Sequence, residues 1–143
     1  TKMSINKAVI LLYFNPDNND QVLSVSRKDD HTLHGLPGGK VEPDETYLGS
    51  LGREIKEELE TDLPAHKCSF AYQDICGDYD TLTYVIDDKL DLPTIPFIND
   101  EGAMVSYQPI SKLVGENYSL FSEYNLKLFK EINDNPEYIR FQK

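Results

Sequence analysis

The sequence predicts an α/β fold, and three observations carry that expectation. β-rich segments occur before and after a central amphipathic helix, a second amphipathic helix lies near the C-terminus, and the apolar residues of each helix recur at helical spacing. A length of 143 residues suits one ordinary domain, here residues 1–143, able to bury roughly two-thirds of its unfolded surface.

Ile5 to Phe14 is apolar and β-rich, which predicts a buried strand, and it stops at the polar cluster Asn15 to Asp20. That cluster has a superficial calcium-loop look, but with Asp17 at position one there is no Gly at position six and no acid at position twelve, so a hairpin connection is expected. Val22 to Lys28 resumes the β pattern, and residues 5–28 are read as a β-hairpin. His34-Gly35-Leu36-Pro37-Gly38-Gly39 follows, a segment whose glycines let the backbone turn tightly and approach a ligand. A helix is expected from about Tyr47 to Glu60, capped by Asp44 or Thr46. Lys67 to Ile75 and Thr81 to Ile86 predict a second hairpin around Cys76 to Asp80. Pro93 and Pro96 mark an irregular connection, and Ala103 to Gln108 a further strand. Phe121, Tyr124, Leu128 and Ile132 predict a helix over about Ser122 to Asn133 with one face on the core.

A net charge of −11 and the absence of any basic cluster argue against duplex nucleic acid as a partner. An acidic chain can still handle small phosphate esters when a divalent metal bridges carboxylate and phosphate. No apolar run reaches bilayer-spanning length and TKMSINK lacks a signal-peptide core, so the expected location is the cytoplasm, without a membrane. Cys68 and Cys76 fit no common zinc spacing or disulfide framework and are expected to be reduced thiols.

The central helix breaks several local rules. Leu48, Leu51, Ile55 and Leu59 share one stripe, while Glu54, Glu57 and Glu58 project together from another side. Those acids repel one another and oppose the negative end of the helix dipole. Gly49 and Gly52 each cost up to about 1 kcal/mol relative to Ala. A solvated helix face would alternate charge sign; like charges at these spacings instead suit a hard cation such as Mg²⁺ or Mn²⁺, with a phosphoryl substrate beyond it.

Gly39, Glu45, Arg53, Glu54, Ile55, Glu57 and Glu58 occupy, with correct spacing, the first seven fixed positions of the signature G-x5-E-x7-R-E-U-x-E-E-x-G-U, where U is a bulky aliphatic. This resembles the Nudix box, and Gly35-Leu36-Pro37-Gly38 resembles the loop that precedes it. Glu60 and Thr61 stand where the family has Gly and an aliphatic residue. The resemblance implies an α/β/α sandwich with a central mixed sheet. It also implies a metal-dependent pyrophosphohydrolase that cleaves a nucleoside diphosphate linked to another moiety, with a nucleoside triphosphate or related small nucleotide as substrate.

Carried over position by position, it makes Glu57 and Glu58 the principal metal ligands, Glu54 a further ligand or general base, and Gly38 a carbonyl donor to the metal. Arg53 would orient a helix carboxylate, Gly39 would permit the turn, and Glu45 would brace the loop. Asp100 and Glu101 are candidates for the acidic ligand or base that the family draws from a later loop, with Glu101 preferred. Arg27 could contact phosphate, and His34 and Tyr79 could line the substrate pocket. The competing readings are a non-catalytic Nudix-fold nucleotide-binding or sensor module and a calcium-binding or structural acidic protein. Substrate identity and oligomeric state stay open, and a homodimer is compatible with the sequence.

Overall fold

A computed structural model of the chain describes residues 6–86, 88–115 and 121–135. In chain order the elements are β1 (Asn6–Leu12), β2 (Phe14–Asn15), β3 (Asn18–Ser26), β4 (His34–Gly35), β5 (Gly38–Lys40), α1 (Tyr47–Leu59), β6 (Cys68–Cys76), β7 (Tyr79–Ile86), β8 (Phe97–Ile98), β9 (Met104–Pro109), α2 (Ile110–Leu113) and α3 (Ser122–Asp134). One sheet has the order β5-β1-β7-β6 and is mixed, because β1 and β7 run parallel while their other neighbours are antiparallel. The second, antiparallel throughout, runs β2-β3-β9-β8, with β4 also paired to β3.

The apolar run of β1 is explained by its place in the middle of the mixed sheet, where both faces are covered. Val9 and Leu11 join Leu51, Ile55 and Leu59 of α1 in one core cluster. Ile10 and Leu12, on the opposite face, join Tyr124, Leu128, Phe129 and Ile132 of α3 in another. Alternation along one strand thus places a helix on each side, giving an α/β/α arrangement around a central mixed sheet. A buried hydroxyl pair, Thr83 Oγ1 and Tyr124 OH at 2.6 Å, ties α3 to β7. Among the described residues no helix is long and apolar enough to cross a membrane.

The second hairpin forms as expected, β6 and β7 being joined through Gly77-Asp78, and Asn15 to Asn18 is the turn of a hairpin. Residues 5–28 do not form one continuous hairpin. β1 pairs with β5 and β7, and it is the short segment after it, Tyr13 to Asn15, that bonds to β3. The reason is burial: a strand apolar on both faces takes a central position in one sheet, and the chain crosses to the other sheet around Tyr13. The Gly-rich segment is likewise more regular than expected, since it supplies β4 to one sheet and β5 to the other. Phe121 also departs from its helical reading. It precedes α3 in a left-handed backbone conformation, φ 60, and is 52% exposed.

α1 starts where the sequence places it. Thr46 Oγ1 accepts a hydrogen bond from Gly49 N at 3.0 Å, filling the N-cap role. The helix ends on Glu60, which takes the left-handed C-terminal conformation at φ 58 and ψ 36. Glycine is favoured there because a Cβ destabilises that conformation by roughly 1–2 kcal/mol. Glu60→Gly is therefore expected to stabilise the protein by about 0.5–1 kcal/mol, the strain relief being partly offset by the entropy glycine adds to the unfolded chain. Urea unfolding with an unchanged m-value checks this; an equal or lower midpoint would overturn it.

Candidate active site

The site is built where β5 runs between β1 and α1. Gly38 pairs with Ile10 at φ 142, and a Cβ on it would lie 2.0 Å from the Val9 carbonyl oxygen, so a side chain has no room. The Gly38 N–H instead donates to Glu58 Oε1 at 2.8 Å. Next along the strand, a Cβ on Gly39 would lie 2.6 Å from Glu54 Cδ. The two glycines thus bring strand backbone against two carboxylates of α1.

Arg53 organises the acids on the other flank. Its Nε and Nη2 donate to Glu45 Oε2 and Oε1, both at 2.9 Å, and its Nη1 donates to Glu54 Oε1 at 2.7 Å. Glu57 Oε1 lies 3.7 Å from the same Nη1, and Nη2 also reaches the Lys40 carbonyl at 3.2 Å. The paired fork holds the Glu45 carboxyl down at about 2, and the Arg53 pKa is raised by Glu45 first and by Glu54. One guanidinium therefore fastens the loop before α1, the β5 edge and two helix acids.

Glu58 behaves differently. Burial pushes its carboxyl up to about 8 against the lowering effect of the Gly38 N–H, and the charges of Glu54, Glu101 and Glu57 add to the rise. Burial also raises Glu54, opposed by Arg53 and reinforced by Glu57 and Glu101. The four carboxylates are thus within electrostatic reach of one another. Glu54 is 17% exposed at its side chain and Glu57 46%, so the patch grades from covered to open.

Glu101 arrives from the loop between β8 and β9. Its Oε2 is 3.7 Å from Lys28 Nζ, and both residues line an open cleft of about 470 Å³ with Arg27, Asp29 and Glu58. Asp100 does not line that cleft. Arg27 is on its wall but engages Asp29 through Nε at 3.0 Å and Nη2 at 3.3 Å. A second cavity of about 240 Å³ shares Val25, Ser26 and Glu58 with that cleft and is lined also by Ala8, Ile10, Leu36, Gly38, Gly39, Tyr79, Phe121 and Asn125. Glu58 borders both spaces.

The structure thus brings together Arg53, Glu54, Glu57, Glu58, Gly38 and Glu101, and sets Arg27 and Tyr79 on the adjoining walls. His34 lines neither space. It is 5% exposed, with Nδ1 3.4 Å from Ser24 Oγ, and burial first, then the nearby charges of Lys112 and His31, lower its pKa. Its place on β4, paired with Ser26 of β3, turns the ring into the sheet packing, which a reading of the segment as a loop could not show. Lys28, Phe121, Asn125 and Asn99 were missed. Lys28 had a signal in its position beside Arg27, and Asn99 in the Asn-Asp-Glu-Gly turn sequence; Phe121 and Asn125 reach the cavity only through tertiary packing.

Carboxylate oxygens are the donors a hard divalent cation prefers, and Glu54, Glu57 and Glu58 are drawn from adjacent turns of one helix. The donor chemistry therefore fits such an ion. Among the described residues, however, no group of three or more His, Cys, Asp or Glu side chains is arranged to hold a metal as it stands. Arg53 draws Glu54 and Glu57 one way and Gly38 draws Glu58 another. Cys68 and Cys76 are free thiols.

Comparison with known proteins bears on the fold and the family. The chain resembles MutT described from Aliivibrio salmonicida and Vibrio cholerae, at 20% identity and a TM-score of 0.66, over 90% of this chain and 98% of that one. It resembles the E. coli ORF135 protein at 17% identity and a TM-score of 0.64, over 93% and 94% of the two chains. It also resembles a MutT NUDIX hydrolase from Burkholderia pseudomallei at 18% identity and a TM-score of 0.61, over 88% and 98%. These likenesses show a common fold. No curated protein matches the sequence. The sequence model of the NUDIX domain matches residues 5–118, and with most of its length inside that match the chain belongs to the Nudix family.

Proposed function

We propose that the protein is a divalent-metal-dependent hydrolase that cleaves the diphosphate linkage of a small nucleotide. The observation that carries this reading is the position of Glu58, which borders both the apolar cavity and the charged cleft while sharing its surroundings with Glu54, Glu57 and Glu101. At about 240 Å³ the inner cavity falls below the ~300–1,000 Å³ of pockets that enclose a whole ligand. It suits the base end of a nucleotide, with Tyr79 and Phe121 offering aromatic surface. The phosphates would then lie in the outer cleft, past Glu58 and toward Arg27 and Lys28.

Under this reading Glu54, Glu57 and Glu58, with the Gly38 carbonyl, hold Mg²⁺ or Mn²⁺. When bound, the ion offsets phosphate charge and makes water a better nucleophile at neutral pH. Arg53 opposes the rise that burial imposes on Glu54, and its hydrogen bond holds that carboxylate close to Gly39. Glu101, which comes from a different element than the helix acids and lies 3.7 Å from Lys28, takes the proton of the attacking water. The charged transition state is stabilised mainly by electrostatics.

Purified protein with Mg²⁺ or Mn²⁺ is expected to release phosphate-containing products from a panel of nucleoside triphosphates, nucleotide sugars and dinucleoside polyphosphates. Glu57→Gln should lose on the order of 100-fold or more in kcat at unchanged melting temperature. Failure of the whole panel sinks the hydrolase reading, and nucleotide binding without turnover would assign a binding module in its place.

Gly39→Ala separates site geometry from folding. The three atoms nearest its new Cβ are all in the movable carboxylate end of Glu54, so the variant should fold and lose roughly 10-fold or more in activity. Gly38→Ala meets fixed backbone and should cost several kcal/mol of stability, read by urea unfolding. Equal stability of the two variants would contradict the assignment.

Metal-free protein should show the Glu58 environment directly. A carboxyl raised from 4.5 to about 8 binds its proton more tightly in the folded chain, so its contribution to stability is present below 4.5 and lost as pH rises toward 8. Measured in EDTA as melting temperature relative to Glu58→Gln, the parent should lose ground across that window, and Mg²⁺ should restore it most strongly near pH 8. A parent that gains on Glu58→Gln between pH 5 and 8 in EDTA would refute the placement.

A further inference from the structure

We propose that Asn99 is a positioning residue that acts through Glu101, fixing the β8–β9 loop to the end of α1 so that the Glu101 carboxylate stands over Glu58; this rests on the hydrolase reading above. Asn99 is 4% exposed, and its side chain is used at both ends. Its Nδ2 donates to the Glu58 backbone carbonyl at 3.0 Å. Its Oδ1 accepts from Glu101 N and from Ala103 N, each at 3.0 Å.

The donor end meets a need of the helix. α1 ends at Leu59, so the Glu58 carbonyl belongs to the last turn, whose oxygens lack intrahelical partners. Asn99 satisfies that oxygen from outside the helix. The acceptor end meets a need of the loop, because the amides of Glu101 and Ala103 point inward around a tight turn. That turn is closed by its own backbone, with Gly102 N donating to Asn99 O at 3.0 Å and Asn99 N to Ala103 O at 2.9 Å. Gly102, at φ 88, gives the turn a conformation that side chains resist.

Residues 99–103 are therefore a preformed unit, and the Asn99 amide joins it to the residue whose carboxylate sits at the junction of the two cavities. Contacts on the far side complete the clasp. His31 Nε2 is 2.9 Å from the Gly102 carbonyl, and Lys28 Nζ is 3.7 Å from Glu101 Oε2. Both are exposed contacts of long or mobile groups, and the buried, three-bond Asn99 latch is the stronger constraint. Aspartate at this position would retain the acceptor end, lose the donor to Glu58 O and set a negative charge beside that carbonyl. Alanine would lose both ends.

A double-mutant cycle tests the assignment. Asn99→Ala is expected to lower kcat about 10- to 100-fold with KM changed less than about 3-fold, in the range of losses seen when groups that orient site residues are removed. Glu101→Gln should lose at least as much, and Asn99→Ala/Glu101→Gln no more than Glu101→Gln alone. Asn99→Asp should fall between parent and Asn99→Ala. The same cycle is read by calorimetric Mn²⁺ titration of each folded variant, with melting curves to establish folding. There Glu101→Gln, which removes a negative charge within electrostatic reach of Glu54 and Glu58, should weaken binding several-fold without Glu101 being a ligand, Asn99→Ala should weaken it less, and the pair should not exceed Glu101→Gln. Multiplicative losses in either readout, or Mn²⁺ affinity insensitive to Glu101→Gln, would overturn the proposal. An inactive parent that keeps the non-additive Mn²⁺ pattern would refute the hydrolase reading while leaving the Asn99 latch standing. If Asn99→Ala does not fold, Asn99→Asp takes its place in the cycle.

Discussion

The arrangement depends on one close approach, that of the Gly38 backbone to Val9 on one side and Glu58 on the other. With no Cβ, Gly38 can sit at φ 142 against the Val9 carbonyl and still aim its N–H at Glu58 Oε1. That contact sets the register Ala8 to Lys40, Val9 to Gly39 and Ile10 to Gly38. The register in turn lays Gly39 under Glu54 and presents the Lys40 carbonyl to both Arg53 and Ser50. A shift by one residue would put a side chain where a carboxylate now lies and reverse every facing pair. Strand, helix and acid cluster are therefore positioned by a single backbone geometry, and the glycines are needed for what they omit.

Magnitudes explain why α1 tolerates its charges. Leu51, Ile55 and Leu59 are fully buried, and each contributes about 1.5–3 kcal/mol. Like-charge pairs one helical turn apart cost only about 0.2–0.5 kcal/mol each, and the two glycines up to about 1 kcal/mol apiece. The apolar face wins, so the helix can carry acids that propensity alone would reject. Arg53 lowers the cost further by meeting Glu45, Glu54 and Glu57 together. Glu58 is not among the acids that Arg53 meets; it accepts a hydrogen bond from the Gly38 N–H, and burial together with the neighbouring acids disfavours its charged form. Under the proposed reading, that imbalance is what a bound cation would relieve.

Much of this was legible because local pattern and tertiary role coincide. The stripe Leu51, Ile55, Leu59 and the acids between them follow from 3.6-residue periodicity, and the spacing from Gly39 to Glu58 by itself carries the resemblance to the family. What stayed hidden depends on partners distant in sequence. Nothing in the apolar run says that Asn6 to Leu12 pairs with Tyr79 to Val85; the run signals burial on two faces, and the parallel partner comes from tertiary competition. His34 reads as a pocket residue beside three glycines, yet the strand pairing of β4 turns it into packing. Phe121 fits the helical repeat and still falls outside the helix, because its backbone is left-handed. Glu60 was visible as a departure, and its consequence, a strained cap rather than an altered site, needed the backbone angle.

The two cavities impose a division of labour. The carboxylates come from one helix and one loop, whereas the inner wall is assembled from β1, the segment around Leu36, β7 and the start of α3. Under the proposed reading, substitutions on those parts of the wall would alter which base fits without replacing an acid, which makes chemistry and selectivity separable. The outer cleft is less free. Arg27 is already engaged by Asp29, and Lys28 lies against Glu101. Phosphate entering there must displace an acid from a cation or meet its charge elsewhere. With a net charge of −11 over the chain, uncompensated entry is repulsive, and the cluster of Glu54, Glu57, Glu58 and Glu101 makes it more so. Under the proposed reading, a divalent ion is therefore required for binding as well as for chemistry: without one, the acids that give the site its reactivity would also keep the substrate out.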